Sequence, residues 1–241
     1  TGSGKTTTLY ASINDIDRNE QNIMTIEDPI EYQFLDINQI QTNPKAGVTF
    51  ADGLRTILRH DPDVILVGEI RDSDTARTAA AAALTGHLVL SSIHANDAVG
   101  VLFRLMDLGI EPYLVSNTLA GVVAQRMIRR ICPHCRALSQ PSREESIAYY
   151  LEIAEERATF YRGAGCNFCS NTGYLGRTGI FEVLVIGGEI RQMLLARASA
   201  GEVRAQALRE GMVTLRRDGM LKVKEGITTS YEVLRSSVAI G

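Results

Sequence analysis

The seven residues Thr1-Gly2-Ser3-Gly4-Lys5-Thr6-Thr7 decide how the rest of the chain is read. The first six fit the last six positions of G-x-x-x-x-G-K-[ST], and Thr7 follows directly. Glycines at this spacing let backbone N–H groups turn inward around phosphate oxygens. Lys5 supplies a point charge for the outer phosphates, and the Thr6 hydroxyl is a magnesium ligand. A helix starting here aims its positive end at the anion. The set Thr1 to Thr7 is therefore the candidate nucleotide-binding loop. A glycine-rich turn before an ordinary helix has the same letters. The reading needs carboxylates at the ends of neighbouring strands.

Such carboxylates occur twice. Thr25-Ile26-Glu27-Asp28-Pro29-Ile30-Glu31 and Asp63-Val64-Ile65-Leu66-Val67-Gly68-Glu69-Ile70-Arg71-Asp72 each end an apolar run in acid. One acid can hold Mg²⁺, directly or through water, and the other can orient an attacking water. Glu69 stands where a Walker B strand usually carries Asp, and its longer side chain favours contact through a bridging water. Acids after strands also serve as helix caps, and that reading stays open for Glu31 and Asp72. Glu27 and Glu69 are the candidate catalytic carboxylates. Gly86 to His94 adds two histidines, His87 and His94, on either side of a strand. Either can act as a neutral donor to a phosphate oxygen, or be a histidine satisfied in the core or at a subunit contact.

Around these motifs the first 130 or so residues alternate helical and strand patterns. Helices are predicted over residues 6–17, 50–59 and 74–84, and strands over 22–27, 64–67 and 88–93. That alternation predicts a mostly parallel sheet with helices on both sides. Residues 112–131 read as an amphipathic helix ending in Arg126, Arg129 and Arg130. The composition then shifts. Cys132-Pro133-His134-Cys135 and Cys166-Asn167-Phe168-Cys169 give two C-x2-C knuckles separated by 30 residues, within which 143–157 is a charged helical stretch that can loop out. Two knuckles close a four-thiolate tetrahedron around a structural ion, best suited to Zn²⁺. A redox dithiol needs only one pair, and His134 is the alternative ligand. The remainder reads as mainly helical, with capping-box spacing at Ser199/Glu202 and Thr229/Glu232. The expected division is an ATPase-type core at 1–131, a tetracysteine subdomain at 132–180 and a helical subdomain at 181–241.

Composition narrows the alternatives. The net charge of −3 and the lack of a basic, aromatic-rich strip disfavour a nucleic-acid translocase. No N-K-x-D guanine motif occurs, and no apolar stretch is long enough to span a membrane. The sequence starts inside a motif and reads as a fragment without a signal peptide.

Taken in order, these motifs resemble the secretion ATPase family, which comprises type II secretion ATPases and type IV pilus assembly ATPases. The resemblance runs from the phosphate loop through Thr25–Tyr32, Leu54–Asp63, Gly68–Asp72 and Thr85–Asp97 to Ala124-Gln125-Arg126. It continues through the cysteine pairs to Gly176–Glu182 and Gly211–Leu215. It implies a RecA-like α/β core, a homo-hexameric ring, and ATP hydrolysis that drives an inner-membrane platform protein. The location implied is the cytoplasmic face of the bacterial inner membrane, peripheral through partners and without direct nucleic-acid binding. By motif position, Glu27 would activate water, Glu69 would be the Walker B acid, and His87 and His94 would lie near the phosphates. Cys132, Cys135, Cys166 and Cys169 would bind zinc. Retraction motors of the superfamily generally lack the tetracysteine insertion, so the cysteines favour export or assembly. The family also implies an amino-terminal domain that supplies arginines to the nucleotide. Without it, this chain alone is expected to hydrolyse ATP poorly.

Overall fold

The computed structural model describes residues 2–237, which form two compact units. In chain order the elements are α1 (Lys5–Asn14), β1 (Ile23–Glu27), β2 (Asn38–Gln41), α2 (Phe50–Ile57), β3 (Val64–Ile70), α3 (Ser73–Leu84), β4 (Leu88–Ile93), α4 (Ala98–Asp107) and α5 (Pro112–Thr118). They continue with β5 (Gly121–Ile131), β6 (Arg136–Ser139), α6 (Arg143–Ile153), β7 (Phe160–Gly163), β8 (Tyr174–Val185), α7 (Gly188–Leu195), α8 (Ala200–Arg209), α9 (Leu215–Lys224) and α10 (Ser230–Ser237).

The larger unit holds residues 5–122 and 184–210. Its sheet has the order β2-β1-β3-β4, with every neighbouring pair parallel. Strand β1 is buried along its whole length. Its alternate side chains feed two cores: Ile23 packs with Ile13, Val64 and Leu66 beneath α1, while Met24 and Ile26 pack with Leu54, Ile57, Ile65, Val67 and Ala79 beneath α2 and α3. The period-2 pattern thus requires helices on both faces, as expected. Each fully buried Ile, Leu or Val here contributes roughly 1.5–3 kcal/mol. Gly53 on α2 is a packing glycine, because a Cβ there would stand 2.5 Å from Ile26 Cδ1. Helix α3 starts on Asp72, whose carboxylate accepts from the Thr75 N–H at 2.8 Å, so Asp72 is a cap.

The smaller unit holds residues 2–4, 123–183 and 211 onward. Its core gathers Ile128, Tyr149, Ile153, Phe160, Ile180, Met220 and Val233. Strands β6 and β7, on either side of α6, pair antiparallel, and β5 pairs with β8. Helix α6 begins with a full capping box between Ser142 and Glu145.

Three expectations are corrected. Residues 112–131 are not one helix: α5 stops at Thr118 and β5 follows. Gly121 breaks the helix, and the β-branched Val122, Val123, Ile128 and Ile131 suit a pleated surface. Residues 143–157 do not loop out, since α6 puts Ala148, Tyr149 and Ile153 into the core. Helices α7 and α8 pack on α5 and α4, whereas α9 and α10 pack on α6, so residues 184–210 group with the larger unit and those from 211 with the smaller. Finally, Ser199/Glu202 is a capping box, but Thr229/Glu232 is only half of one. Thr229 Oγ1 accepts from the Glu232 N–H at 3.3 Å, while the Glu232 carboxylate turns to Arg129.

That ion pair anchors the smaller unit. The Glu232 side chain has no solvent exposure; it meets Arg129 at 2.5 Å and Arg235 at 3.2 Å. Burial pushes its carboxyl upward, but hydrogen bonds and charge from Arg129 outweigh this and hold it below the ordinary glutamate value. Glu145 behaves alike: burial is outweighed by donors from Ser142 and Ser230 and by Arg162. A carboxyl depressed in the folded state stabilises the fold fully above its unfolded value, about 4.3, and loses that stabilisation as pH falls further. Denaturant unfolding is therefore expected to show the smaller unit weakening below about pH 4–5. Arg129→Ala should cost about 2 kcal/mol at neutral pH, less than a fully buried pair because Arg235 remains. An Arg129→Ala protein as stable as the parent at neutral pH would contradict the assignment.

Candidate functional site

Parallel strands deliver all their carboxyl ends to one rim of the sheet, and the functional side chains of the larger unit collect there. Gly2 and Gly4 of the phosphate loop have φ of +85° and +82°, the left-handed region that turns N–H groups inward. Thr1 lies outside the described residues. Lys5 opens α1. Its ammonium lowers the pKa of His94, and partial burial adds to this against the opposing charge of Glu69. The imidazole is therefore neutral at neutral pH. His94 lies just beyond β4, with Nε2 3.7 Å from Glu69 Oε2, and Arg71 holds the other Glu69 oxygen at 2.5 Å. Lys5, Glu69, Arg71 and His94 are thus one charged cluster.

Glu69 owes its position to an irregularity. The register between β3 and β4 shifts between Val67 and Ile70. The carbonyls of Val67 and Gly68 accept from the hydroxyls of Ser91 and Ser92 at 2.7 and 2.8 Å. Such a bulge re-aims a strand end, and side-chain hydroxyls occupy carbonyls where the ladder is irregular.

Glu27 lies on the neighbouring strand, on the face toward α1, and is 3% exposed. Three donors hold it: Tyr10 Oη on Oε2, and Thr25 Oγ1 at 2.6 Å and Gln39 Nε2 at 3.0 Å on Oε1. The Thr6 hydroxyl stands 3.4 Å from Glu31. Motif reading passed over Tyr10, Thr25, Gln39 and Arg71. The signal was positional: Tyr10 is one helical turn beyond Thr6, and Thr25 shares the face of Glu27.

His87 is elsewhere. It precedes β4, and its Nδ1 lies 2.9 Å from the Ala82 carbonyl and 3.0 Å from Thr85 Oγ1. A six-residue strand separates it from His94, roughly 20 Å of extended chain. Of the two histidines, His94 is the one beside Glu69, while His87 ties off the end of α3.

In the smaller unit the sulfurs of Cys132, Cys135, Cys166 and Cys169 all lie within 4.8 Å of one another. None is in a disulfide. Backbone N–H groups of Gly165 and Gly173 donate to Cys135 and Cys169 at 3.3 Å. Burial and the surrounding thiols push Cys135 up to about 12. Cys169 comes down to about 6, where N–H donors from Cys166 and Gly173 outweigh burial. Four thiols so placed share one pocket, and the donor set suits a soft tetrahedral cation. His134 is not aimed into it but stacks on Phe168, with ring centroids 4.1 Å apart.

A parallel sheet with this loop, these strand-end acids and a separate thiol centre defines a RecA-like P-loop domain with a tetracysteine appendage. The chain belongs to the family described as Type II/IV secretion system protein, which matches residues 1–235. It is 48% identical over 239 residues to the type IV pilus assembly ATPase PilB of Thermus thermophilus, covering 99% of this chain and 27% of that protein. It is 51% identical over 235 residues to the type II secretion system protein E of Klebsiella pneumoniae, covering 98% and 46%. A crystal structure of the pilus retraction motor PilT with bound ADP aligns with a TM-score of 0.72 at 28% identity, over 99% of this chain and 59% of that one. The chain thus spans less than half the length of these two curated relatives. Among the described residues no helix is long and apolar enough to cross a membrane.

The electrostatics give a direct test. Lys5→Met removes the main charge acting on His94, so NMR titration of that imidazole should move to higher pH. An unchanged titration would mean that Lys5 points away from the cluster.

Proposed function

We propose that this chain is the ATP-hydrolysing part of a motor that powers type II protein secretion or type IV pilus assembly. The observation that carries this reading is the gathering of Lys5, Thr6, Glu27, Glu69 and His94 at the carboxyl rim of a parallel sheet. In this reading Thr1 to Thr7 supply the end of the loop that cradles the phosphates of ATP, and Lys5 binds the outer phosphates. Thr6 and Glu69 would hold Mg²⁺, which would supply charge neutralisation at the transferring phosphoryl group. Glu27 orients the attacking water. Neutral His94 donates to a γ-phosphate oxygen without adding a competing cation.

The relatives that are ATPases by name support the activity, and their greater length supports a further domain that completes the site. A homo-hexameric ring, an inner-membrane platform protein as partner and the cytoplasmic face of the bacterial inner membrane follow from the same reading. So does structural Zn²⁺ on Cys132, Cys135, Cys166 and Cys169, which leaves no position open for substrate.

Steady-state turnover in the complete protein containing this chain tests the motor. Lys5→Ala and Glu27→Gln should each lower kcat by about 10²-fold or more, the scale of losing one electrostatic contact in a dry site. Parental turnover in either variant would defeat the assignment. Elemental analysis should find one zinc ion per chain, lost in Cys169→Ser with a fall in the thermal midpoint. Metal-free protein of parental stability would rule out a structural centre.

A further inference from the structure

The structure assigns to Tyr10 a positioning role: it fixes the orientation of the Glu27 carboxylate and ties it to the helix leaving the phosphate loop. This rests on the reading of Glu27 as the group that orients water. The starting point is the number of donors. A carboxylate offers about four acceptor sites. On Glu27, Oε1 takes two donors, Thr25 at 2.6 Å and Gln39 at 3.0 Å, and Oε2 takes the Tyr10 hydroxyl. One site remains, on Oε2, and its direction is set by where the phenol sits.

The phenol is held from several sides. Its oxygen accepts from the Glu31 N–H at 3.3 Å, in the loop after β1. The ring meets Phe34 edge-on at 5.2 Å, and Arg18 covers Phe34 at 5.1 Å. Gln39 is oriented too: its Oε1 accepts from the Phe34 N–H at 2.8 Å, and its Nε2 also donates to the Tyr32 carbonyl at 3.0 Å. The amide can therefore present only its NH₂ to Glu27. The titratable groups facing one another here are Tyr10 from α1, Glu27 on β1 and Glu31 beyond it. Burial, then the hydrogen bond to Glu27 and its charge, raise the phenol to about 12. It keeps its proton across the working range and always donates.

A tyrosine whose only task was to fill space would not need this hydroxyl. The ring of Phe would fill the same volume. The hydroxyl instead links three segments: α1, which begins at Lys5; β1, which carries Glu27; and the loop that carries Glu31. Tyr10 lies four residues after Thr6, so any shift of α1 at the phosphate end is passed to the water-orienting carboxylate through one hydrogen bond.

The test compares four forms of the complete protein: parent, Glu27→Gln, Tyr10→Phe, and a form with 3-fluorotyrosine at position 10. Glu27→Gln checks the underlying reading, and parental turnover there removes the basis for a positioning role. With Glu27→Gln inactive, Tyr10→Phe should lower kcat about tenfold, the worth of one hydrogen bond to a charged group. KM for ATP should stay within about twofold, because phosphate binding is untouched. The acid limb of the pH–rate profile should move to higher pH, since a carboxylate that loses a donor takes up a proton more readily. The fluorinated phenol keeps the ring and is a stronger donor, so it should move that limb to lower pH. A purely structural role would lower the thermal midpoint and leave both limbs in place. Parental kcat in Tyr10→Phe, or an acid limb that neither substitution moves, would overturn the inference.

Discussion

The larger unit depends on one constraint: every strand of its sheet runs in the same direction. Parallel strands cannot be joined by tight turns, so each must be left at one rim and re-entered at the other. All four carboxyl ends then share one rim. The central strand β1 is buried throughout, and its carboxylate stands at its last residue, Glu27. Strand β3 follows the same rule, buried over Val64 to Val67 and opening only from Gly68 onward. Apolar burial thus determines where the acids emerge. The helix after the phosphate loop returns to the same rim because it packs beneath β1 and β3 through Ile13.

The smaller unit answers a different problem. Its strands pair only two by two, so backbone ladders alone give little cohesion. Side-chain polar ties take a larger share. Glu232 and Glu145, both buried, each join segments far apart in sequence: Glu232 meets Arg129, and Glu145 meets Arg162 and Ser230. Glu182, 2% exposed, accepts from the Leu215 N–H at 3.4 Å. The four thiols add a fourth tie, drawing Cys132 and Cys135 against Cys166 and Cys169. Glu232 and Glu145 are held low by their partners, so the unit is sensitive to acid through those two carboxylates.

Much of the larger unit is legible in the sequence because its signals are local. A glycine-lysine-threonine run, an apolar run ending in acid and an alanine-rich helix after Asp72 each announce themselves within about ten residues. The failures came where the deciding information is distant. Val122 to Ile131 has apolar spacing that suits either period, and only pairing with β8 makes it a strand. Helix α6 looks solvated because charges fall on all sides of it, yet Tyr149 is 1% exposed once α9 and α10 close over it. His87 and His94 look equivalent in a motif, but a strand between them places them at opposite rims. The smaller unit's boundaries are invisible in composition, since residues 184–210 leave it to pack on α4 and α5, where Arg204 meets Asp97 at 2.6 Å.

The two strand-end glutamates also differ in a way that the motifs do not express. Glu69 is matched by a cation, Arg71, at 2.5 Å and approached by His94, so much of its charge is already compensated. Glu27 is held by a phenol, a hydroxyl and an amide, all neutral. Neutral donors fix a carboxylate's geometry without cancelling its charge, whereas a cation does both. A group that must release its partner to take a metal-bound water is served by an exposed, exchangeable ion pair, and Arg71 is 63% exposed. A group that must hold one orientation through the reaction is served by buried neutral donors, which do not compete electrostatically for its charge. The proposed assignment of Glu69 to the metal side and Glu27 to the water side is therefore supported by their neighbours as well as by their places in the motifs.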